Sequence, residues 1–427
     1  MCWIALSPPE DQQAAWCWQA LQFTPRVALE QGCVLLDVSV SLRLWGGLRA
    51  LLAQLLRPAL LPACQVWAQA PTARVALALL RLKMGDRTRP ARVPDGLPLD
   101  TLAAAQPALA VLERIGCRDW GSLRALPRAG VARRFGAALL DALDMAYGER
   151  PEAFVWCQLP PVFDQNLELP ALADNAPELM WTAQRLLGAL QAWLRAGQRG
   201  VLSLALEWTY DLRRQDGVLL PPTASLPVRT SQATQDMAHI RRLLAEQLER
   251  TPLAAPANHL RLRTLQTEVL AGRNASLLPE DQAKGERLHE LVERLGARLG
   301  ADRVLVPRLV ADHRPECMQR WVPAHAAGAP GAPTLPANAA LQPAWLLREP
   351  LPLAMDAGQP VFHGRLQLLA RPHRLDGAGW WDLGAPKFAS RDYRLAFSEG
   401  WGLLWLYQEL PRSGQGEPRW FLQGAYA

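Results

Sequence analysis

Between residues 176 and 196 the apolar side chains Leu179, Met180, Ala183, Leu186, Leu187, Leu190 and Leu194 recur every three or four positions. That is the period of an amphipathic helix. Directly afterwards Leu202, Leu204, Leu206 and Trp208 alternate with smaller or polar residues, the period of a half-buried strand. A strand over about 163–169 precedes the helix. A further strand is expected near 224–229, then a helix over about 234–250 with Met237, Ile240, Leu243, Leu244 and Leu248 on one face, then a last strand carrying Leu260 and Leu262. The order is β-α-β-β-α-β, which forms a four-stranded sheet with two helices on one face.

The same reading gives the flanks. Before this block lie a helix over 11–23, a short apolar strand Val34 to Val38, a helix over 48–57, a strand from Gln65 to Gln69 and a helix over 73–83, with Pro71 near its start, where proline is tolerated. This stretch is mixed α/β. Residues 97–148 predict only helices and tight turns, with Leu112, Ile115, Leu123 and Leu126 around Gly116 and Gly121 and a helix over 133–147 ended by Gly148. After the block come a helix over 283–299, a short strand Val304-Leu305-Val306, a Pro/Ala/Gly-rich stretch over 322–360 that has linker composition, and a strand-like aromatic module over 361–427. The expected plan is an α+β multidomain chain divided at 1–95, 96–158, 159–270, 271–321, 322–360 and 361–427.

Composition narrows the function. Half of the 427 residues are apolar, ample for packed cores, yet no run of about 18 apolar residues appears. The start lacks a basic segment ahead of its short apolar stretch, so a cytoplasmic protein without signal peptide is expected. The seven cysteines are odd in number and show no C-x-x-C pair, and no two of the seven histidines stand three or four apart. Neither disulfides nor a metal site is indicated. The net charge of +6 permits a nucleic-acid partner without requiring one. The arginine excess over three lysines, Lys83, Lys284 and Lys387, fits codon bias in a GC-rich genome.

Local motifs then carry a resemblance. Leu36-Asp37-Val38-Ser39-Val40-Ser41-Leu42-Arg43-Leu44-Trp45-Gly46 resembles the segment L-D-V-T-x-S-x-R-L-F-G of Y-family translesion polymerases. Ala70-Pro71-Thr72-Ala73-Arg74 resembles their A-P-N-K stretch, and Ile115-Gly116-Cys117-Arg118-Asp119-Trp120-Gly121-Ser122-Leu123 resembles their thumb motif. Phe23-Thr24-Pro25-Arg26-Val27-Ala28-Leu29, Gln198-Arg199-Gly200-Val201-Leu202, Ala311-Asp312-His313-Arg314-Pro315-Glu316 and the terminal Trp420-Phe421-Leu422-Gln423-Gly424 resemble the ImuB group, the polymerase-like subunits of bacterial mutagenesis complexes. The resemblance spans about residues 15–427. It implies a partial palm, a helical thumb, a little finger with the β-α-β-β-α-β order and a small C-terminal β-rich module.

Active relatives need carboxylates that bridge two Mg²⁺ ions. The acid pair of S-I-D-E-A-Y-L-D falls here on Gly32 and Cys33, neither of which is a hard oxygen ligand. No early D-x-D is present. Glu10 and Asp11 fit a solvated loop before a helix, and Asp37 a structural acid at a strand end. The expectation is therefore a non-catalytic member of the DNA-damage (SOS) response, without a metal or other cofactor, against the alternatives of an active polymerase or a simple DNA-binding protein.

Four residues are candidate DNA contacts. Gly116 and Gly121 flank a turn where backbone N–H groups can approach a phosphate, or are ordinary glycines of a helix–helix turn. Arg261 and Arg263 alternate with Leu260 and Leu262 and put charge on one sheet face, for DNA or for solvent. Asn274-Ala275-Ser276-Leu277-Leu278 stands where the ImuB group carries a sliding-clamp peptide of type Q-L-S-L-F, with Asn for Gln and Leu for Phe; the other reading is a plain linker. The C-terminal aromatics fill a small β core or serve partner docking. The implied partners are DNA, the sliding clamp, a RecA-like mutagenesis subunit and an error-prone replicative-type polymerase.

Overall fold

The computed structural model describes residues 1–58, 60–212, 214–215, 218–270, 287–310, 312–326, 342–378, 389–410 and 419–426. Backbone contacts divide it into two compact units, Met1–Arg298 and Leu299–Ala427.

The first unit opens with β1 (Trp3–Leu6), α1 (Gln13–Leu21), β2 (Val27–Glu30), β3 (Cys33–Asp37), α2 (Leu48–Leu55), β4 (Trp67–Ala70) and α3 (Ala73–Met84). The strands form an antiparallel sheet in the order β2-β3-β1-β4. Every residue of β1 and β3 is buried, because both faces are covered. Trp3, Ala5, Cys33 and Leu35 join the core of α3 and the following helices, while Ile4, Leu6, Val34 and Leu36 join that of α1 and α2. Sequence periodicity did not reveal β1, since a four-residue run that is apolar throughout shows no alternation.

Next come α4 (Leu109–Arg114), α5 (Trp120–Arg124), α6 (Arg128–Phe135) and α7 (Ala137–Tyr147). The single helix expected over 133–147 is two, broken where Gly136 takes φ +90°, a conformation that favours glycine. Gly148 ends α7 in the left-handed conformation as expected. Trp120 is fully buried, and its indole donates to the Pro98 carbonyl at 3.2 Å.

The expected β-α-β-β-α-β block is present as β5 (Asp164–Ala173), α8 (Ala176–Ala196), β6 (Arg199–Tyr210), a small ribbon of β7 (Arg214–Gln215) and β8 (Val218–Leu219), β9 (Thr223–Thr234), α9 (Met237–Leu248) and β10 (Ala257–Val269). Its antiparallel order is β5-β10-β6-β9. Asn175 caps α8 by accepting from the Glu178 N–H at 3.1 Å. The block packs on α1 through Trp18, Phe163 and Trp193, whose ring centroids lie 5.7 and 6.1 Å apart in sequence. A helix α10 (Leu288–Leu299) follows; its Glu293 sits 2.6 Å from His239 of α9.

The second unit holds the hairpin β11 (Leu305–Leu309) with β12 (Gln319–Pro323), then β13 (Trp345–Pro352), β14 (Ala354–Asp356), β15 (Gln359–Val361), β16 (Gln367–Leu368), β17 (His373–Ala378), β18 (Ala389–Ser398), β19 (Gly402–Glu409) and β20 (Arg419–Ala425). The main sheet runs β13-β20-β19-β18-β16, with β17 also on β18. The linker expected over 322–360 is thus partly strand. Its prolines Pro350 and Pro352 sit on β13, an edge strand, where a missing N–H costs little. Tyr393, Trp405, Tyr407 and Phe421 stack in a core. Asp312 and Arg314 form a buried pair at 2.7 Å, and Glu316 holds Arg391 of β18 at 2.8 Å. Among the described residues no helix is long and apolar enough to cross a membrane.

Candidate functional site

The positions aligned with the catalytic acid pair lie at the β2–β3 turn. Glu30 pairs with Cys33, and the two residues between them, Gln31 and Gly32, take φ of 51° and 77°. Positive φ at both central positions marks the two-residue hairpin turn that matches strand twist. Gly32 is therefore a turn residue. Burial pushes the Cys33 thiol pKa up, only partly opposed by the Arg81 charge, so this side chain is a neutral thiol. Arg81 of α3 donates to the Gln31 side chain and to the Thr101 carbonyl, placing a guanidinium at this hairpin tip. These residues do not fit a Mg²⁺ pair, which requires oxygen ligands. Among the described residues no group of three or more His, Cys, Asp or Glu could hold a metal ion.

Asp37 is engaged inside the fold. One oxygen accepts from Arg26 at 2.9 Å; the other accepts from the Ser39 N–H at 3.0 Å and its hydroxyl at 2.6 Å. Burial alone would raise its pKa, but the Ser39 and Arg26 hydrogen bonds outweigh it and hold the carboxyl below its ordinary value. Glu10 and Asp11 lie on a single exposed 3-10 turn, where Asp11 pairs with Arg185 of α8.

The start of α3, within the A-P-T-A-R motif, holds an anion supplied by the chain itself. Glu152 accepts from the Ala73 N–H at 2.9 Å and the Arg74 N–H at 3.1 Å. Thr72 caps the same helix through the Val75 N–H. A helix N-terminus is a ready anion site, and here a carboxylate fills it. Sequence reasoning missed Glu152 because it lies 78 residues from Arg74 with no local pattern to mark it.

The turn between α4 and α5 is closed by its own hydrogen bonds. Gly116, at φ +90°, ends α4 with its N–H on the Glu113 carbonyl, while the Cys117 N–H reaches Leu112, the paired bonds of a Schellman motif. The N–H groups of Arg118 and Asp119 both meet the Ser122 hydroxyl at 3.2 Å. Trp120 donates to Leu97 and Gly121 to Asp95 at 2.8 Å. Gly121 is glycine because a Cβ there would lie 3.1 Å from the Asp95 side chain and 3.2 Å from its carbonyl oxygen. A Cβ at Gly116 would meet nothing within 4 Å.

Arg261 and Arg263 lie on the sheet face away from the helices and are both paired. Arg261 holds Asp164 of β5 at 2.5 Å and Glu207 of β6 at 3.3 Å, and Arg263 holds Glu207 at 2.8 Å. The face is a charge-compensated ladder across β5, β10 and β6. Leu260 and Leu262 beside it belong to the core of α8 and α9, whereas Cys117 and Trp120 of the Gly116–Gly121 turn belong to the core of α3 and α7, so the structure does not gather these four residues into one site. The segment Asn274 to Leu278 lies outside the described residues.

No protein-family model matches the chain. Two proteins named Protein ImuB, from two strains of Caulobacter vibrioides, are 28% identical to it over 450 residues, covering 98% of this chain and 94% of theirs. Among solved structures, the Dbh ternary complex is 13% identical with a TM-score of 0.28, covering 60% of this chain and 78% of that one. DinB from Sulfolobus solfataricus is 12% identical with a TM-score of 0.27, covering 61% and 77%. The resemblance carried by motifs scattered along the chain is thus a similarity to the ImuB proteins over nearly the whole of its length.

Proposed function

We propose that this protein serves DNA-damage-induced translesion synthesis and mutagenesis as a non-catalytic adaptor. It would bind DNA, a sliding clamp, a RecA-like mutagenesis subunit and an error-prone replicative-type polymerase. The observation that carries the non-catalytic part is the β2–β3 turn, where Gly32 and the neutral Cys33 stand in the place of the acid pair and Arg81 brings a positive charge to the hairpin tip. Glu152 on the start of α3 supports it, since a carboxylate there repels an incoming phosphate. The similarity to the ImuB proteins supports the pathway. DNA contact would use cationic side chains, Arg261 and Arg263 among them, with the turn at Gly116 and Gly121 bordering the contact without donating its internally bonded N–H groups to phosphate, and the 274–278 peptide would meet the clamp.

Primer extension with Mg²⁺ or Mn²⁺ tests the adaptor reading. Extension should stay at background. Extension by the wild type that is lost in Asp37→Asn would overturn it. Titration against the sliding clamp separates an adaptor from a simple DNA-binding protein, which would show no clamp binding.

A further inference from the structure

The chain leaves α3 through Arg81-Leu82-Lys83-Met84-Gly85-Asp86-Arg87-Thr88-Arg89-Pro90-Ala91-Arg92. Five of these twelve positions are basic and one is acidic, in a chain whose whole net charge is +6. The cations beyond Arg81 face solvent. Lys83 is anchored by a 2.7 Å bond to the Trp67 carbonyl and lies 4.9 Å over the Trp67 ring. Arg87 meets Asp100 at 2.8 Å in a pair exposed at both ends, the kind that contributes little and is readily exchanged. The Arg89 and Arg92 guanidinium groups are exposed, and no ion pair or hydrogen bond holds either among the described residues. This differs from Arg261 and Arg263, whose charge is already matched by Asp164 and Glu207.

Two concavities open along the tract. One of about 60 Å³ is lined by Gln69, Lys83, Arg87 and Arg89, among others. The other, about 480 Å³, is lined by Arg92, Gly121, Ser122 and Arg124 together with Asp95 and Asp119. Both carboxylates are hydrogen-bonded to the protein and keep their charge: the exposed Asp95 accepts from the Tyr147 hydroxyl at 2.6 Å and Asp119 from the Ser122 N–H at 2.7 Å, so the cationic stretch of the tract lies at its Lys83–Arg92 side.

We propose that Lys83, Arg87, Arg89 and Arg92 form a phosphate-binding belt for the DNA backbone, running beside the α4–α5 turn. This rests on the reading that the protein binds DNA, and names the surface. Two residues, Pro90 and Ala91, separate Arg89 from Arg92, an extended reach of at most about 10 Å, enough for the two guanidinium groups to meet separate phosphates of one strand. Guanidinium forks suit phosphate oxygens. Gly85, Asp86, Thr88 and Pro90 stand between the cations, so the tract lacks the continuous apolar face that insertion into a lipid surface uses. Contact of this kind is independent of base sequence.

The test is anisotropy of labelled DNA across a salt series with the full chain. Arg89→Ala/Arg92→Ala should weaken binding by at least about tenfold near 0.1 M salt and flatten the log–log salt slope by nearly 2, at about 0.9 per phosphate contact. The charge-keeping Arg89→Lys/Arg92→Lys should retain most of that slope. Arg49→Ala/Arg57→Ala removes equal charge from exposed positions on and just beyond α2, on the opposite face of the β2-β3-β1-β4 sheet, and should leave affinity within twofold. Wild-type affinity and slope in the Arg89/Arg92 double alanine variant would overturn the belt and leave DNA binding standing. Absence of DNA binding by the wild type would overturn both, and tighter binding of RNA of the same length would overturn the assignment to DNA.

Discussion

The Arg26 guanidinium donates to the Asp37 carboxylate at 2.9 Å, and the Asp37 N–H donates back to the Arg26 carbonyl at 3.0 Å. Asp37 thereby fastens the residues before β2 to the end of β3. It is a structural acid, and Asp37→Asn should cost roughly 1.5–3 kcal/mol, the worth of hydrogen bonds to a buried charged group. Arg26→Ala should cost less, because 56% of the Arg26 side chain is exposed and solvent screens the pair. The folded pKa of Asp37 lies below its unfolded value. Its stabilisation is therefore complete above that unfolded value and fades as pH falls through the folded one. Urea unfolding at pH 7 and at acid pH checks this; an Asp37→Asn variant as stable as the wild type at pH 7, or a melting temperature that Mg²⁺ raises only when Asp37 is present, would refute it.

The ladder of Arg261 and Arg263 with Asp164 and Glu207 sets a competition. If the arginines contact DNA, phosphate must displace a carboxylate. Asp164→Asn/Glu207→Gln should then tighten DNA binding severalfold and steepen its salt dependence, while Arg261→Ala/Arg263→Ala should loosen it. The stability cost of losing these exposed pairs should stay within about 1 kcal/mol each. Unchanged affinity in both double variants would show that the sheet face does not meet DNA.

Much of the fold was legible because it follows from periodicity. The apolar stripe of α8 and the alternation along β6 define their elements unaided, and the β-α-β-β-α-β order follows. What escaped has physical reasons. β1 is buried on both faces and shows no alternation. β13 carries prolines that imitate a linker and are tolerated only because it lies at a sheet edge. Gly32 and Cys33 were visible as non-acidic positions, but the Arg81 guanidinium and the Glu152 cap come from distant parts of the chain. The arginine pattern on β10 was visible; its neutralisation by Asp164 and Glu207 depends on strand register, which no single strand contains.

Glu152 is the group whose removal should expose the α3 anion site. Burial raises its pKa, opposed by the Ala73 and Arg74 N–H bonds and the Arg74 charge. The folded carboxyl thus holds its proton more tightly than the unfolded one, so stability declines as pH rises from the unfolded pKa through the folded one. Glu152→Gln should abolish that decline while keeping one acceptor for the helix. Glu152→Ala should leave the α3 N–H groups unpaired, cost roughly 1–3 kcal/mol, and make the melting temperature sensitive to added pyrophosphate. A Glu152→Ala protein that pyrophosphate does not stabilise would show that the vacated helix start is no anion site.

Gly116 and Gly121 should both be needed, for different reasons. At Gly121 the φ is ordinary and the obstacle is Asp95, 3.1 Å from any added Cβ. Gly121→Ala must push that loop away and should cost about 1–3 kcal/mol, as overpacking does. At Gly116 space is open and the obstacle is φ +90°, so Gly116→Ala carries backbone strain of roughly 1–2 kcal/mol. Because the N–H groups of this turn are already bonded within the protein, neither variant should lose DNA affinity beyond its loss of folded molecules. Chemical denaturation and DNA titration of each variant, with binding normalised to the folded fraction, separate the two effects. A Gly121→Ala protein as stable as the wild type but tenfold weaker on DNA would mean that these N–H groups leave their internal acceptors to meet phosphate.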